Sequence, residues 1–190
     1  MKSIKNTIAE ALRLKQQLFE DLDFQRNVEV AADLCVEAFS RNGKVLLCGN
    51  GGSAADAQHI AAELSGRFKK DRPPLYAEAL HVNTSFLTAV ANDYGFEHAF
   101  ARMTQAAGNE NDILIAISTS GNSANILNAA IAARSIPMKV IGFTGNSGGK
   151  LAALCDVLID VPSDDTARIQ EIHILVGHML CEIIEEKIFA

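Results

Sequence analysis

The chain has 190 residues, 48% of them apolar and 21% charged, with a formal net charge of −6. That length builds a single domain with a proper core, and the acidic balance argues against a non-specific nucleic-acid surface or an anionic membrane surface as partner. No apolar run reaches the roughly eighteen residues of a membrane span, and the opening stretch MKSIKNTIAEALRLKQQLFEDLD lacks a signal-peptide core, so the chain reads as cytoplasmic.

Residues 3 to about 22 and 24 to 40 read as two amphipathic helices, with Ile4, Ile8, Ala11, Leu12, Leu18 and Leu22 on one stripe. They have no strand partner, and two ways of burying them stay open: a neighbouring subunit, or the chain's own sheet. KVLLC from Lys44 is the first of five β-type runs, and the turn CGNGGSAAD leads from it into a helix-like stretch, Ser53 to Leu64. YAEALHV from Tyr76 follows, then a helix over Glu97 to Ala107, ILIAIS from Ile113, and a helix over Ser123 to Ala133. KVIGFT from Lys139, a weaker helix after Gly148, VLIDVP from Val157 and a long helix over 166 to about 188 complete the chain. Four of the five runs are mostly continuous in apolar character, as parallel strands covered on both faces are. Strands alternating with helices predict an α/β doubly wound sheet, in which ligands bind at the carboxyl ends of the strands. Cys35, Cys48, Cys155 and Cys181 are scattered in apolar contexts, with no C-x-x-C pair, and read as reduced core residues.

The residues just after the first and third runs therefore matter most. Gly49, Gly51 and Ala54 satisfy a G-x-G-x-x-A dinucleotide fingerprint. The second run, however, ends LHVNTS, without the acidic residue a nucleotide ribose needs, and Asp71 falls before that run in KKDRPP. No nucleotide cofactor is expected. The turns GNGGSAAD and STSGNSANI both place small hydroxyl or amide residues at a helix start, where free N–H groups favour an anion. Ser118, Thr119, Ser120 and Ser123 add donors, and Gly121 lets the backbone approach closely. Ser53 and Ser123 taken singly fit plain helix caps. Four hydroxyls in six residues directly after a buried strand favour an anion site.

His59 and Glu63, four apart, share one helix face about 5–6 Å apart at Cβ, a spacing that suits a catalytic pair, two metal ligands or a solvated pair. The final helix carries Gln170, Glu171, His173 and His178. Gln170 and His178 are separated by about 12 Å of helix rise, so spacing alone does not join them at one metal.

The blocks CGNGGSAADAQHIAAELSGRF, AVANDYGF, AISTSGNSANI, GFTGNSGGKLA and ARIQEIHILVGH, in this order, closely resemble bacterial phosphoheptose isomerases of the sugar isomerase (SIS) domain superfamily. The likeness runs from about residue 5 to 188. It implies an αβα sandwich around a five-stranded parallel sheet, a flavodoxin-like SIS fold in one domain spanning 1–190. Residues 1–42 would be the helical oligomerisation segment of a homotetramer, and 43–190 the sugar-phosphate-binding core, with active sites between subunits. It further implies conversion of sedoheptulose 7-phosphate to D-glycero-D-manno-heptose 7-phosphate, on the way to the heptose of lipopolysaccharide. By the same resemblance Ser118, Thr119, Ser120 and Ser123 bind the phosphate, while Asn50, Gly51, Gly52, Ser53, Arg67, Asn92, Asp93 and Gln170 line the substrate pocket. Glu63 matches the general base and His178 the general acid. His59, Glu63, Gln170 and His178 match the ligands of one zinc per subunit. Ala167 and Arg168 stand where some relatives carry an aspartate, so an auxiliary polar contact is missing.

The implied chemistry suits these groups. A ketose becomes an aldose when a base takes the C1 proton and an acid–base group moves protons between O1 and O2 through a cis-enediol. Histidine, with its ordinary pKa near 6.5, fits the second task. Zinc would polarise the carbonyl, held with modest affinity because glutamine is an uncommon ligand. The rival is a non-catalytic SIS protein of the group that binds a replication initiator. That group lacks the acid at the position of Glu63 and the histidine at the position of His178, and this chain has both.

Overall fold

A computed structural model describes residues 3–190 as one α/β sandwich. Five parallel strands form its sheet: β1 (Val45–Cys48), β2 (Ala77–Ala79), β3 (Ile113–Ser118), β4 (Lys139–Thr144) and β5 (Val157–Asp160). They lie in the order β2-β1-β3-β4-β5, with Val45 flanked by Ala77 on one side and Ile113 on the other. The helices are α1 (Ile4–Glu20), α2 (Leu22–Ser40), α3 (Gly52–Ser65), α4 (Thr84–Tyr94), α5 (Ala99–Ala107), α6 (Ala124–Ser135) and α7 (Thr166–Ile188). Short 3-10 turns cover Phe96–His98 and Gly149–Leu154.

The unbroken apolar runs are explained by burial on both faces. Ile113, Ile115 and Ile117 of β3 pack into one core with α2, α3 and α7, whereas Leu114 and Ala116 pack into a second core with α5 and α6. The expected helix over 97–107 divides into a 3-10 turn and α5, and the weaker helix after Gly148 is a 3-10 turn. One helix, α4, is absent from the pattern-based reading. Val90 is its single buried residue, so it shows no apolar stripe, although Asn83 caps it by accepting from the Phe86 N–H at 3.0 Å.

The two N-terminal helices differ in how they are buried. Helix α2 docks on the chain's own sheet and on α7: Phe24, Val28, Ala31 and Cys35 join the core, and Asn27 donates to the Leu158 carbonyl at 3.2 Å. Helix α1 buries only Leu14 and Leu18, leaving Ile4 82%, Leu12 63% and Phe19 75% exposed. Cys35, Cys48 and Cys181 are buried free thiols, and burial pushes the pKa of all three up to about 12. That state fits core residues and not metal ligands.

Candidate active site

The sheet order sets the location. From β1 the chain winds outward to β2, then crosses back to β3 on the other side of β1, so the winding reverses between β1 and β3. Helix α3 leaves β1 over one face and α6 leaves β3 over the other, which opens a crevice at the carboxyl ends of those strands. Side chains cap α1, α2, α4 and α7, through Ser3, Asp21, Asn83 and Asp165. The two helices that start at the crevice, α3 and α6, receive no hydrogen bond from the side chains at their cap positions, although the Ile126 N–H of α6 is taken by Asn125 Oδ1.

Ser123 occupies the cap position of α6 without capping it. Its Oγ instead lies 3.1 Å from the Oγ of Ser118, which is buried at the end of β3. Ser53 is likewise not a cap, since it is the second residue of α3 and is buried. Gly121, at φ +63, lies so close to the next loop that a Cβ there would stand 2.0 Å from the Gly148 carbonyl oxygen. Thr119 and Ser120 border a cavity of about 210 Å³ that Asn146, Ser163, Asp164 and Thr166 complete. None of these last four stands out in the sequence, because they belong to the loops after β4 and β5 and the first residue of α7 and reach the cavity only in the folded chain.

Asn50, in the turn after β1, exchanges two hydrogen bonds with Asn125 of α6, at 2.9 and 2.8 Å. Asn125 is buried, and its Oδ1 also accepts from the Ile126 N–H at 3.0 Å. The two loops are thereby joined across the crevice. Asn125 resembles any small polar residue in sequence, and only the cross-strand contact reveals what it does.

Helix α3 runs beside α7, and the contacts fix their relative direction. At the first turn of α3, a Cβ on Gly52 would be 2.5 Å from Gln170 Nε2, so the missing side chain makes room for that amide. Further along, His178 Nε2 approaches His59 Nε2 to 3.4 Å. Both contacts advance together, so the helices are parallel. His59 Nε2 is also 3.2 Å from Glu63 Oε1, and donor atoms of His59, Glu63 and His178 all lie within 4.8 Å of one another. Phe68, in the segment after α3, stacks on His178 with ring centroids 5.8 Å apart. One turn before His59, Asp56 has a buried, unpartnered Oδ2; burial raises its pKa while His59 pulls it back.

Two imidazoles and one carboxylate form a donor set that suits a divalent transition metal. The fourth expected ligand, Gln170, rests its amide on Gly52, about 12 Å of helix rise before His178. The remaining residues expected at the substrate pocket are spread out. Gly51 and Gly52 are exposed at the crevice, Asn92 and Asp93 lie exposed on the last turn of α4 with Asn92 donating to Asp93 at 2.7 Å, and Arg67 is exposed just before Phe68. Among the described residues, no hydrogen bond or ion pair ties Asn92, Asp93 or Arg67 to the triad.

Comparison with known proteins agrees with this geometry. A profile for the SIS domain matches residues 8–145. The phosphoheptose isomerase of Burkholderia pseudomallei is 52% identical over 186 residues, which cover 98% of this chain and 94% of that one. The structure of phosphoheptose isomerase from Neisseria gonorrhoeae superposes with a TM-score of 0.90 at 47% identity, covering 96% of this chain and 97% of the other. That of a phosphoheptose isomerase from Francisella tularensis gives a TM-score of 0.92 at 42% identity, covering 96% of each chain. On the crevice, the triad and these likenesses together, the chain belongs to the phosphoheptose isomerase family of SIS-domain proteins.

Proposed function

We propose that this protein isomerises sedoheptulose 7-phosphate to D-glycero-D-manno-heptose 7-phosphate, supplying heptose for lipopolysaccharide or another glycoconjugate from the cytoplasm. The observation that carries the reading is the convergence of Glu63 and His59 of α3 with His178 of α7, in a chain about half identical to phosphoheptose isomerases over nearly its whole length. A protein that only binds needs neither an acid nor a histidine there.

The sugar phosphate would bind with its phosphate on Ser118, Thr119, Ser120 and Ser123. Asn50, Gly51, Gly52, Ser53 and Gln170 would line the sugar. Glu63 takes the proton from C1 while His178 protonates the C2 carbonyl oxygen, giving the cis-enediol. Glu63 then returns its proton to C2 and the O1 proton passes back to His178, so both groups end as they began. One zinc per subunit, held by His59, Glu63 and His178 with Gln170 as the fourth expected ligand, would supply a Lewis acid at the carbonyl.

The same reading makes the protein a homotetramer with active sites between subunits. In support, α1 leaves Ile4, Ile8, Leu12 and Phe19 exposed, and Leu22 at the start of α2 is exposed beside them. Beside α1, an apolar groove of about 550 Å³ runs between α1, α2 and α7, lined by Leu18, Phe19, Phe24, Ile172, Leu175 and Ile183 among others. Surface of that extent on one face marks a protein contact. The exposed Arg67, Asn92 and Asp93 fit a pocket that a neighbouring subunit completes. No helix among the described residues is long and apolar enough to cross a membrane.

Turnover of sedoheptulose 7-phosphate, with and without a chelator, tests the activity, and Glu63→Gln tests the base. Loss of a positioned base lowers kcat by about 10²–10⁴-fold, with the oligomer unchanged by light scattering. Full activity of that variant would remove Glu63 from the mechanism. Absence of turnover in the wild type under either condition, together with tight binding to a replication initiator, would overturn the proposal as a whole.

A further inference from the structure

Arg72 lies in KKDRPP, the stretch before the second β-type run. In the structure its side chain is 2% exposed and is paired with Glu185 of α7, itself 3% exposed, through Nε to Oε2 at 3.2 Å. Its other nitrogens turn to the end of α3. Nη2 donates to the carbonyl of Glu63 at 2.9 Å, and Nη1 donates to the carbonyl of Leu64 at 2.7 Å. Both carbonyls belong to the last turn of α3, where helical partners run out and a cation is favoured.

Glu185 holds more than the arginine. Its Oε1 accepts from the backbone N–H of Lys69 at 3.0 Å and of Lys70 at 2.5 Å. Burial raises its pKa, but the Lys70 N–H, the Arg72 guanidinium and the Lys69 N–H outweigh that and hold it below the usual range. The carboxylate thus fixes the segment that carries Phe68, and Phe68 is the ring stacked on His178. A buried ion pair is not an efficient source of stability, since well-packed apolar residues often do as well. What this pair does that apolar residues would not is grip the backbone of Glu63 and the segment behind His178 at once.

We infer that Arg72, acting with Glu185, is a positioning residue for the reaction: it locks α3 to α7 just beyond the triad, and so sets the separation of Glu63 from His178. Gly52 and Gln170 form the contact at the opposite end of the same helix pair. The triad lies between these two points. The inference rests on the isomerase reading above, and its test separates the two.

Arg72→Lys keeps the charge opposite Glu185 but loses the planar fork that spans two carbonyls and a carboxylate. The pair Arg72→Met/Glu185→Gln removes both charges, while the amide oxygen that replaces the carboxylate still accepts from the N–H groups of Lys69 and Lys70. Each variant is compared with wild type in steady-state kinetics on sedoheptulose 7-phosphate, in zinc titration of the chelator-stripped protein against a chromophoric chelator, and in urea unfolding. The expected result is a kcat lower by about ten- to a hundredfold and weaker zinc binding by about tenfold, the usual cost of losing an outer support. KM should stay within about threefold, because the phosphate loop is not attached to this clamp. Variants that lose urea stability yet keep wild-type kcat and zinc affinity would show a merely structural pair and overturn the inference. A wild type without turnover would instead defeat the isomerase reading, and the zinc titration would still report on the clamp.

Discussion

Replacing Asn125 with alanine asks whether the two loops at the crevice behave as one unit. Asn125 is 4% exposed and engages Asn50 through two hydrogen bonds of 2.9 and 2.8 Å, while its Oδ1 also serves the Ile126 N–H. Truncation removes all three interactions. A neutral hydrogen bond contributes about 1 kcal/mol net, and a buried partner left without one costs about 1–3 kcal/mol. Asn125→Ala should therefore cost about 3 kcal/mol in urea unfolding. Asn50→Ala deletes the same two inter-loop bonds, so the double variant should cost about 1–2 kcal/mol less than the sum of the singles. The kinetic expectation follows from location: Asn50 lies in the turn after β1 and Asn125 follows Ser123 and Ala124, so freeing them loosens the wall of the proposed phosphate site. KM for sedoheptulose 7-phosphate should rise more than kcat falls, by about tenfold for 1.4 kcal/mol of lost binding. Stability losses that add within about 0.5 kcal/mol, or a KM equal to wild type in Asn125→Ala, would refute the coupling.

Two further expectations test the surroundings of the site. Gly121→Ala would force a Cβ to 2.0 Å from the Gly148 carbonyl at a backbone φ of +63, so it should displace the Ser118–Ser123 loop and raise KM strongly, and an unchanged KM would refute the constraint. His173 is fully buried, tilted against Phe143, with Nε2 3.0 Å from the Thr144 carbonyl; burial lowers its pKa from 6.5 to about 4, the hydrogen bond opposing. Between those values the unfolded chain binds a proton that the folded chain does not, so stability is full above pH 6.5 and falls as pH drops towards 4. The loss is about 1.4 kcal/mol per pH unit, or about 3 kcal/mol in all. Wild type should lose about 3 kcal/mol of urea stability relative to His173→Gln between pH 6.5 and about pH 4, whatever their offset at neutral pH, and parallel curves would refute the assignment.

What could be read from the amino-acid order depended on whether a feature is local. The strands β3 and β4 were legible residue for residue, because burial on both faces leaves an unbroken apolar run. The His59–Glu63 pair was legible from its helical spacing. The approach of His178 was legible only through the family resemblance and not from spacing, since it depends on how α7 packs against α3, and neither sequence segment contains that contact. Arg72 shows the same limit from the other side: a basic residue beside prolines looks solvated, and only the neighbouring Glu185 and the end of α3 make it a buried clamp. Helix α4 escaped because a helix that buries one residue leaves no period to detect. Ser123 taken singly fits a cap because a hydroxyl before a helix usually is one, but the run of hydroxyls argued otherwise, and in the structure its Oγ lies against the Ser118 hydroxyl instead.

On the proposed reading, helix α3 is the element on which binding and chemistry meet. Its start adjoins the Asn50–Asn125 junction, where the anion loops join, and its later turns carry His59 and Glu63. From Gly52 to His59 the helix rises about 10 Å, a separation set by geometry and not by side-chain choice. On the isomerase reading, a substrate held by its phosphate at one end presents its reacting carbons at the other, and a ketose phosphorylated far from its carbonyl spans that gap. The parallel course of α7 then supplies a partner at each end, Gln170 beside Gly52 and His178 beside His59. Because both helices leave the carboxyl ends of parallel strands, their register is inherited from the sheet. A shift of α3 by one residue would turn His59 and Glu63 by about 100° away from His178, and the contacts at Gly52 and at Arg72 oppose that shift from both ends.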